Sequence, residues 1–158
     1  MAAKRADPSK PIVMLSLIHI LARSHSGCAV WQQDFLKLDL PDHYFDGVFA
    51  NATLFHVPSQ ELPRVLRELH ACLKPGGVLF SSIPRGHNEE GWNDGRYGVF
   101  HDPEAWRRYG SAAGFVELTH YYRPAGLPRE RQPWLASVWR PVSYTHLDVY
   151  KRQSPRRP

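Results

Sequence analysis

Residues 45–82 leave this chain little choice of fold. They open with a short apolar run, Phe45-Asp46-Gly47-Val48-Phe49-Ala50, and pass through a small, polar segment at Asn51-Ala52-Thr53. Leu62, Val65, Leu66, Leu69 and Leu73 then recur at the spacing of one helical face. Pro75-Gly76-Gly77 reads as the helix stop, and Val78-Leu79-Phe80-Ser81-Ser82 as a second strand. A strand, a helix and a strand joined by short connections make a βαβ unit, with parallel strands and a right-handed crossover. Ser59 is expected to cap the helix, which should run over residues 60–73.

The flanks extend this pattern. Residues 28–35 (CAVWQQDF) read as a strand ending near Asp34, and residues 36–42 as a loop with a proline stop. Residues 84–98 are polar, glycine-rich and aromatic, which predicts a loop or lid rather than a regular element. Asp102-Pro103 starts a second helix that reaches about Ala113, with Gly114 as its stop. Residues 115–122 and 134–139 read as two late strands, forming an antiparallel hairpin at the sheet edge. Trp134 and Trp139 are expected to fill that edge and the core beneath it. The fold class is α/β.

Composition narrows the function. At 158 residues and 42% hydrophobic, the chain is one domain's worth and can bury a core. The net charge of +5 is misleading, because residues 1–20 and 142–158 hold seven of the 20 basic and two of the 15 acidic side chains. Thirteen of each remain between them, so no basic groove for nucleic acid is expected on the body. Cys28 and Cys72 form neither a zinc spacing nor a disulfide framework, which points to a reducing cytoplasm. No apolar run approaches the roughly 18 residues of a membrane span. His87, Glu89, Glu90 and His101 lack any metal-ligand spacing, and no metal is expected.

Four stretches resemble one family. They are Gln33-Asp34-Phe35 with Leu38-Asp39-Leu40-Pro41, then Phe45 through Ala52 with Leu54-Phe55-His56-Val57, then Leu69 through Leu79 with its Lys74-Pro75-Gly76-Gly77, and Gly114-Phe115 with the closing strands. Their order and spacing resemble the C-terminal portion of a class I S-adenosylmethionine-dependent methyltransferase domain, over about residues 21–141. The resemblance implies a Rossmann-like fold that is incomplete here, since neither a glycine-rich cofactor loop nor an acidic residue closing a second strand stands upstream of Arg23. It also implies that the two absent strands belong in the middle of the sheet.

The same resemblance assigns roles. Asp34 would accept from the adenine amino group and the backbone N–H of Phe35 would donate to the ring. Ala50, Asn51 and Ala52 would lie beside the methionine half of S-adenosylmethionine, with His56 as the candidate catalytic base. Arg85, Trp92, Arg96 and Tyr97 would shape the pocket for a small-molecule methyl acceptor. The expected function is methyl transfer by the parent domain, with this chain alone inactive and binding the cofactor weakly or not at all. On residue types alone, a small α/β ligand-binding module and a basic nucleic-acid-binding protein remain alternatives. Asp34 also has a plainer reading as the cap of the turn after it, and His56 as a packed histidine at a helix start.

The two ends look foreign. Leu15-Ser16-Leu17-Ile18-His19-Ile20 and Asp148-Val149-Tyr150-Lys151-Arg152-Gln153 can be encoded by opposite strands of one short DNA word. That word resembles a transposon end used in preparing sequencing libraries. Residues 1–20 are therefore expected to be an artefactual leader, 21–141 the partial domain, and 142–158 an artefactual basic tail.

Overall fold

The computed structural model describes residues 12–14 and 27–142. The expected leader and tail lie outside the described residues, apart from residues 12–14 and Val142. The chain divides into two compact units, Met1–Asp39 and Leu40–Pro158.

In the smaller unit, β1 (Ile12–Met14) pairs in parallel with β2 (Val30–Gln32), Ile12 opposite Val30. The strand expected over residues 28–35 is thus present but shorter. Beyond it the backbone turns: Asp34 Oδ1 accepts from the Leu36 N–H at 2.9 Å, and the Asp34 carbonyl accepts from the Lys37 N–H at 2.9 Å.

The larger unit is built on a four-stranded sheet in the order β3-β4-β8-β7. Strand β3 (Phe45–Asn51) leads through a 3₁₀ turn at Leu54–His56 to helix α1 (Leu62–Cys72), and the chain returns as β4 (Leu73–Pro84), parallel to β3. This is the expected βαβ unit. The helix buries Leu62, Val65, Leu66 and Leu69, the face read from the sequence. Helix α1 stops at Cys72, ahead of Pro75-Gly76-Gly77, and that triplet forms a bulge inside β4. The register slips there, from Phe45 opposite Leu73 to Gly47 opposite Val78. Gly76 takes φ +79°, and a Cβ on Gly77 would stand 3.0 Å from the Lys74 carbonyl oxygen. Glycine is needed for conformation at the first and for close approach at the second.

Residues 84–98 depart from expectation. They hold a β-hairpin, β5 (Glu89–Asn93) with β6 (Arg96–Phe100), turned at Asp94-Gly95 with φ values of 47° and 72°. Two positive φ values suit the two-residue turn that matches strand twist. Helix α2 (Pro103–Ala112) follows, capped by Asp102 Oδ1 on the Ala105 N–H at 2.6 Å, as expected. Strands β7 (Phe115–Arg123) and β8 (Trp134–Pro141) form the expected antiparallel pair, with β7 at the sheet edge.

Both helices cover one face of the sheet, where Leu79, Ile83, Leu135 and Trp139 are buried. Trp139 donates its indole N–H to Ser81 Oγ at 3.1 Å and lies flat against Gly110 of α2. The opposite face is apolar yet open: Phe49 stacks on Phe80 at 4.7 Å between centroids but is 76% exposed, and Val78 is 38% exposed. Cys28 and Cys72 are buried free thiols, and burial pushes the Cys72 thiol up to about 11. No helix among the described residues is long and apolar enough to cross a membrane.

A Cβ on Gly110 would meet Trp139 at 2.8 Å. Alanine favours a helix interior by about 1 kcal/mol over glycine, but crowding a fixed indole costs about 1–3 kcal/mol. Gly110→Ala is expected to lower unfolding free energy by up to roughly 2 kcal/mol, read by urea denaturation. A gain in stability would show that the indole can move.

Candidate functional site

The carboxyl ends of β3, β4 and β7 meet at one edge of the larger unit, because β7 and β4 both run antiparallel to β8. Open α/β sheets bind ligands at that edge. Ala50 is buried near the end of β3, Asn51 is exposed at its tip, and Ala52 adopts φ 55° while its N–H donates to the Ser82 carbonyl at 2.9 Å. The small side chains leave the backbone here approachable by a bulky ligand.

His56 ends the 3₁₀ turn that follows. Its Nδ1 sits 2.6 Å from the Tyr97 carbonyl oxygen. A carbonyl only accepts, so Nδ1 carries the proton and donates, and in the neutral ring Nε2 keeps its lone pair. That geometry orients the ring and leaves one nitrogen able to take a proton. A cleft of about 480 Å³ opens beside it, lined by Phe55, His56, Asn93, Arg96, Tyr97 and Phe100.

The hairpin that roofs this cleft is tied down by one carboxylate. Glu90 Oε1 accepts from the Ser59 N–H at 3.1 Å and from the Tyr97 hydroxyl, and Oε2 accepts from the Ser59 hydroxyl. Ser59 was expected to cap α1, but Glu61 occupies that position without a side-chain cap, and the Ser59 hydroxyl is spent on the hairpin. The hydroxyls of Ser59 and Tyr97 hold the Glu90 carboxyl below its ordinary range, and the same carboxylate pushes the Tyr97 phenol up to about 12. At the hairpin base, His101 is buried against Trp106 and Tyr109, and burial lowers its pKa from the usual histidine value.

Of the expected site residues, the structure brings His56, Arg96 and Tyr97 together around the cleft. Trp92 is largely exposed and meets Tyr97 edge-on at 5.6 Å. Arg85 donates through Nη1 to the carbonyls of Arg129 (3.2 Å) and Gln132 (3.0 Å), so it braces the loop before β8. Asp34 and Phe35 belong to the smaller unit, where Asp34 caps its own turn through Oδ1. Two residues were missed. Ser59 was read only as a cap, and Arg123, which reaches Asn51 and Ser82, carried no local signal at all.

Comparison with known proteins fits this architecture. Residues 6–81 match the profile of a family described as a methyltransferase domain, a match that begins within the N-terminal segment set aside above. A stretch of 48 residues is 45% identical to sterol 24-C-methyltransferase ERG6B of Gibberella zeae, covering 30% of this chain and 12% of that protein. The fold is similar to an S-adenosylmethionine-dependent methyltransferase of Leishmania major, with a TM-score of 0.68 at 11% identity, over 84% of this chain and 55% of that one. It is equally similar to 1,6-didemethyltoxoflavin-N1-methyltransferase of Burkholderia thailandensis, solved with 1,6-didemethyltoxoflavin and S-adenosylhomocysteine. There the TM-score is 0.68 at 20% identity, over 84% of this chain and 61% of that one.

The chain carries a methyltransferase-domain profile over residues 6–81 and has a Rossmann-like α/β fold similar to that of methyltransferases. It spans a little over half the length of the structural relatives named and about an eighth of the sterol methyltransferase.

Glu90 supplies a test of the roof. Its depressed pKa means that its bonds are complete above the ordinary carboxylate range and are lost as pH falls through the lowered value. The Trp92 indole resonance is expected to move, on acidification, toward its position in Glu90→Gln, whose amide oxygen cannot accept all three bonds. An indole signal indifferent to both changes would mean that this carboxylate does not hold the hairpin.

Proposed function

We propose that these residues are the rear part of a domain that transfers a methyl group from S-adenosylmethionine to a small-molecule acceptor. The observation that carries the reading is the coincidence of the family match with a small, polar, backbone-open loop at Ala50-Asn51-Ala52, set at the ligand edge of a parallel strand pair. The bound cofactor would supply a sulfonium-activated methyl. The residues of the larger unit fit one side of it: Ala50 and Ala52 admit close approach, and Asn51 offers a polar side chain. A glycine-rich loop and a ribose-holding acid are absent from residues 21–141, and they belong to the part of the domain that this reading places upstream.

Within the chain, His56 is positioned to remove a proton. Its Nδ1–H bond to the Tyr97 carbonyl directs Nε2 away from that anchor, and general bases of this kind contribute about 10²–10⁴-fold. Phe55, Tyr97 and Phe100 give the cleft apolar walls that help exclude water from a methyl transfer. The small-molecule class of acceptor rests on the size of this cleft, and on the 1,6-didemethyltoxoflavin bound by the structurally similar Burkholderia enzyme. The reducing-compartment reading of Cys28 and Cys72 supports a cytoplasmic location.

The sheet supports the partial-domain reading independently. Strands paired in parallel are ordinarily covered on both faces, yet Phe49 stands 76% exposed on β3, the end strand of the sheet. A layer laid over this face would account for that exposure.

Two measurements check this. Equilibrium dialysis is expected to show no saturable S-adenosylmethionine binding by the 158 residues alone, and micromolar binding once the native upstream sequence is restored. Asp34→Ala in the longer protein should weaken it about tenfold, the loss of one hydrogen bond to a charged group. Tight binding by the short chain would refute the partial-domain reading. Second, Phe49→Thr is expected to change the short chain's stability by less than about 0.5 kcal/mol, as surface changes do, and to destabilise the longer protein by about 3 kcal/mol, as core truncation does. Equal effects in both would remove the missing layer.

A further inference from the structure

Arg123 is the last residue of β7, opposite Trp134 of β8, which is in turn opposite Pro84 of β4. Its side chain reaches back across the open face of the sheet. Nη2 donates to Asn51 Oδ1 at 3.1 Å and to Ser82 Oγ. Both acceptors are neutral. Among the described residues Nε–H is buried with no partner, and both hydrogen bonds come from Nη2, leaving Nη1 without one. A guanidinium offers five N–H donors and a permanent charge, so three donors and the whole charge are left unanswered by the described residues.

The surroundings are of the same sign. Arg85 stands 5.1 Å from the centre of the Tyr122 ring and donates only to backbone carbonyls. Arg129 stacks on the same ring. Among the described residues no carboxylate pairs with Arg85, Arg123 or Arg129, although Glu130 lies in the same short turn as Arg129. Three cations without a carboxylate partner therefore gather where β4 and β7 end. Packing that leaves a half-buried charge unpaired is unfavourable unless something else supplies the counter-charge.

We propose that Arg123 is an anion-recognition residue, and that the methyl acceptor carries a carboxylate which binds the unused Nη1 edge of this guanidinium. Asn51 and Ser82 act as positioning residues that hold the fork in place. The Nη1 donors and the permanent single charge of a guanidinium suit one carboxylate. Ser82 is fully buried and Asn51 ends β3, so the fork is built on strands rather than on a mobile loop. The description of the ligand as the acceptor rests on the methyl-transfer reading, whereas the anion site rests on the geometry alone.

The test is an NMR titration of the full chain carrying ¹⁵N-arginine, with benzoate, benzamide and inorganic phosphate as probes. The Arg123 Nε–H signal, identified by its absence in Arg123→Lys, is expected to shift saturably with benzoate and not with benzamide. Arg123→Lys keeps the charge but loses the fork, and should weaken benzoate binding at least tenfold, read on backbone amides of Asn51 and Ser82. No benzoate response, an equal response to benzamide, or undiminished binding by Arg123→Lys would each overturn the assignment. Phosphate binding more tightly than benzoate would overturn the carboxylate class. S-adenosylmethionine binding by the longer protein is read separately: its failure removes the methyl-transfer reading, while benzoate binding with that failure leaves the anion site standing.

Discussion

Parallel pairing of β3 with β4 is the constraint on which the larger unit depends. Parallel strands cannot be joined by a tight turn, so the chain must cross over, and α1 is the crossover. The crossover places the carboxyl ends of both strands at one edge, and the antiparallel return through β8 brings the end of β7 to the same edge. Asn51, Ser82 and Arg123 are 31 and 41 residues apart along the chain, yet they share hydrogen bonds because three strands finish at one edge of the sheet. The bulge at Pro75-Gly76-Gly77 completes the arrangement. It absorbs the slip in register that lets Val48 to Asn51 run in step with Leu79 to Ser82.

A second constraint governs the cleft. The β5–β6 hairpin has few apolar side chains to bury, and isolated hairpins are marginal in water. Polar bonds help to dock it, two of them from Ser59 to Glu90, with His56 adding a third through the Tyr97 carbonyl. Ser59 could have capped α1, worth about 1 kcal/mol. It serves the hairpin instead, and α1 begins without a side-chain cap. Local helix stability has given way to a long-range contact that sets the orientation of His56, a trade that makes sense if the cleft has a use.

The helices, the parallel pair and the late antiparallel strands were legible because each buries an apolar face with a clear period. Leu62, Val65, Leu66 and Leu69 are buried as their spacing required, and Asp102 caps as its position before Pro103 required. The hairpin was not legible from burial, since Glu89, Glu90, Trp92 and Asn93 are all exposed and show no alternation. The signal that could have found it is Asp94-Gly95, a pair suited to two successive positive φ values. The candidate site was legible where the resemblance supplied it, at Ala50, Asn51 and His56. Arg123 had no such help. Its role depends on strand order, and strand order lies outside what local spacing encodes.

The open face of the sheet and the unpaired guanidinium bear on each other. Phe49, Val78 and Phe80 form an apolar surface, and Asn51, Ser82 and Arg123 continue the same face to the ligand edge. A layer laid over Phe49 would exclude water along the strands and lower the local dielectric around Arg123. An ion pair formed there would be stronger than the same pair in water, and an unpaired charge more costly. Under the partial-domain reading, completing the fold thus raises the demand for a counter-anion at Arg123 just as it completes the place where a methyl donor would lie. Donor binding and acceptor charge recognition would then be coupled through a single event, the covering of one sheet face.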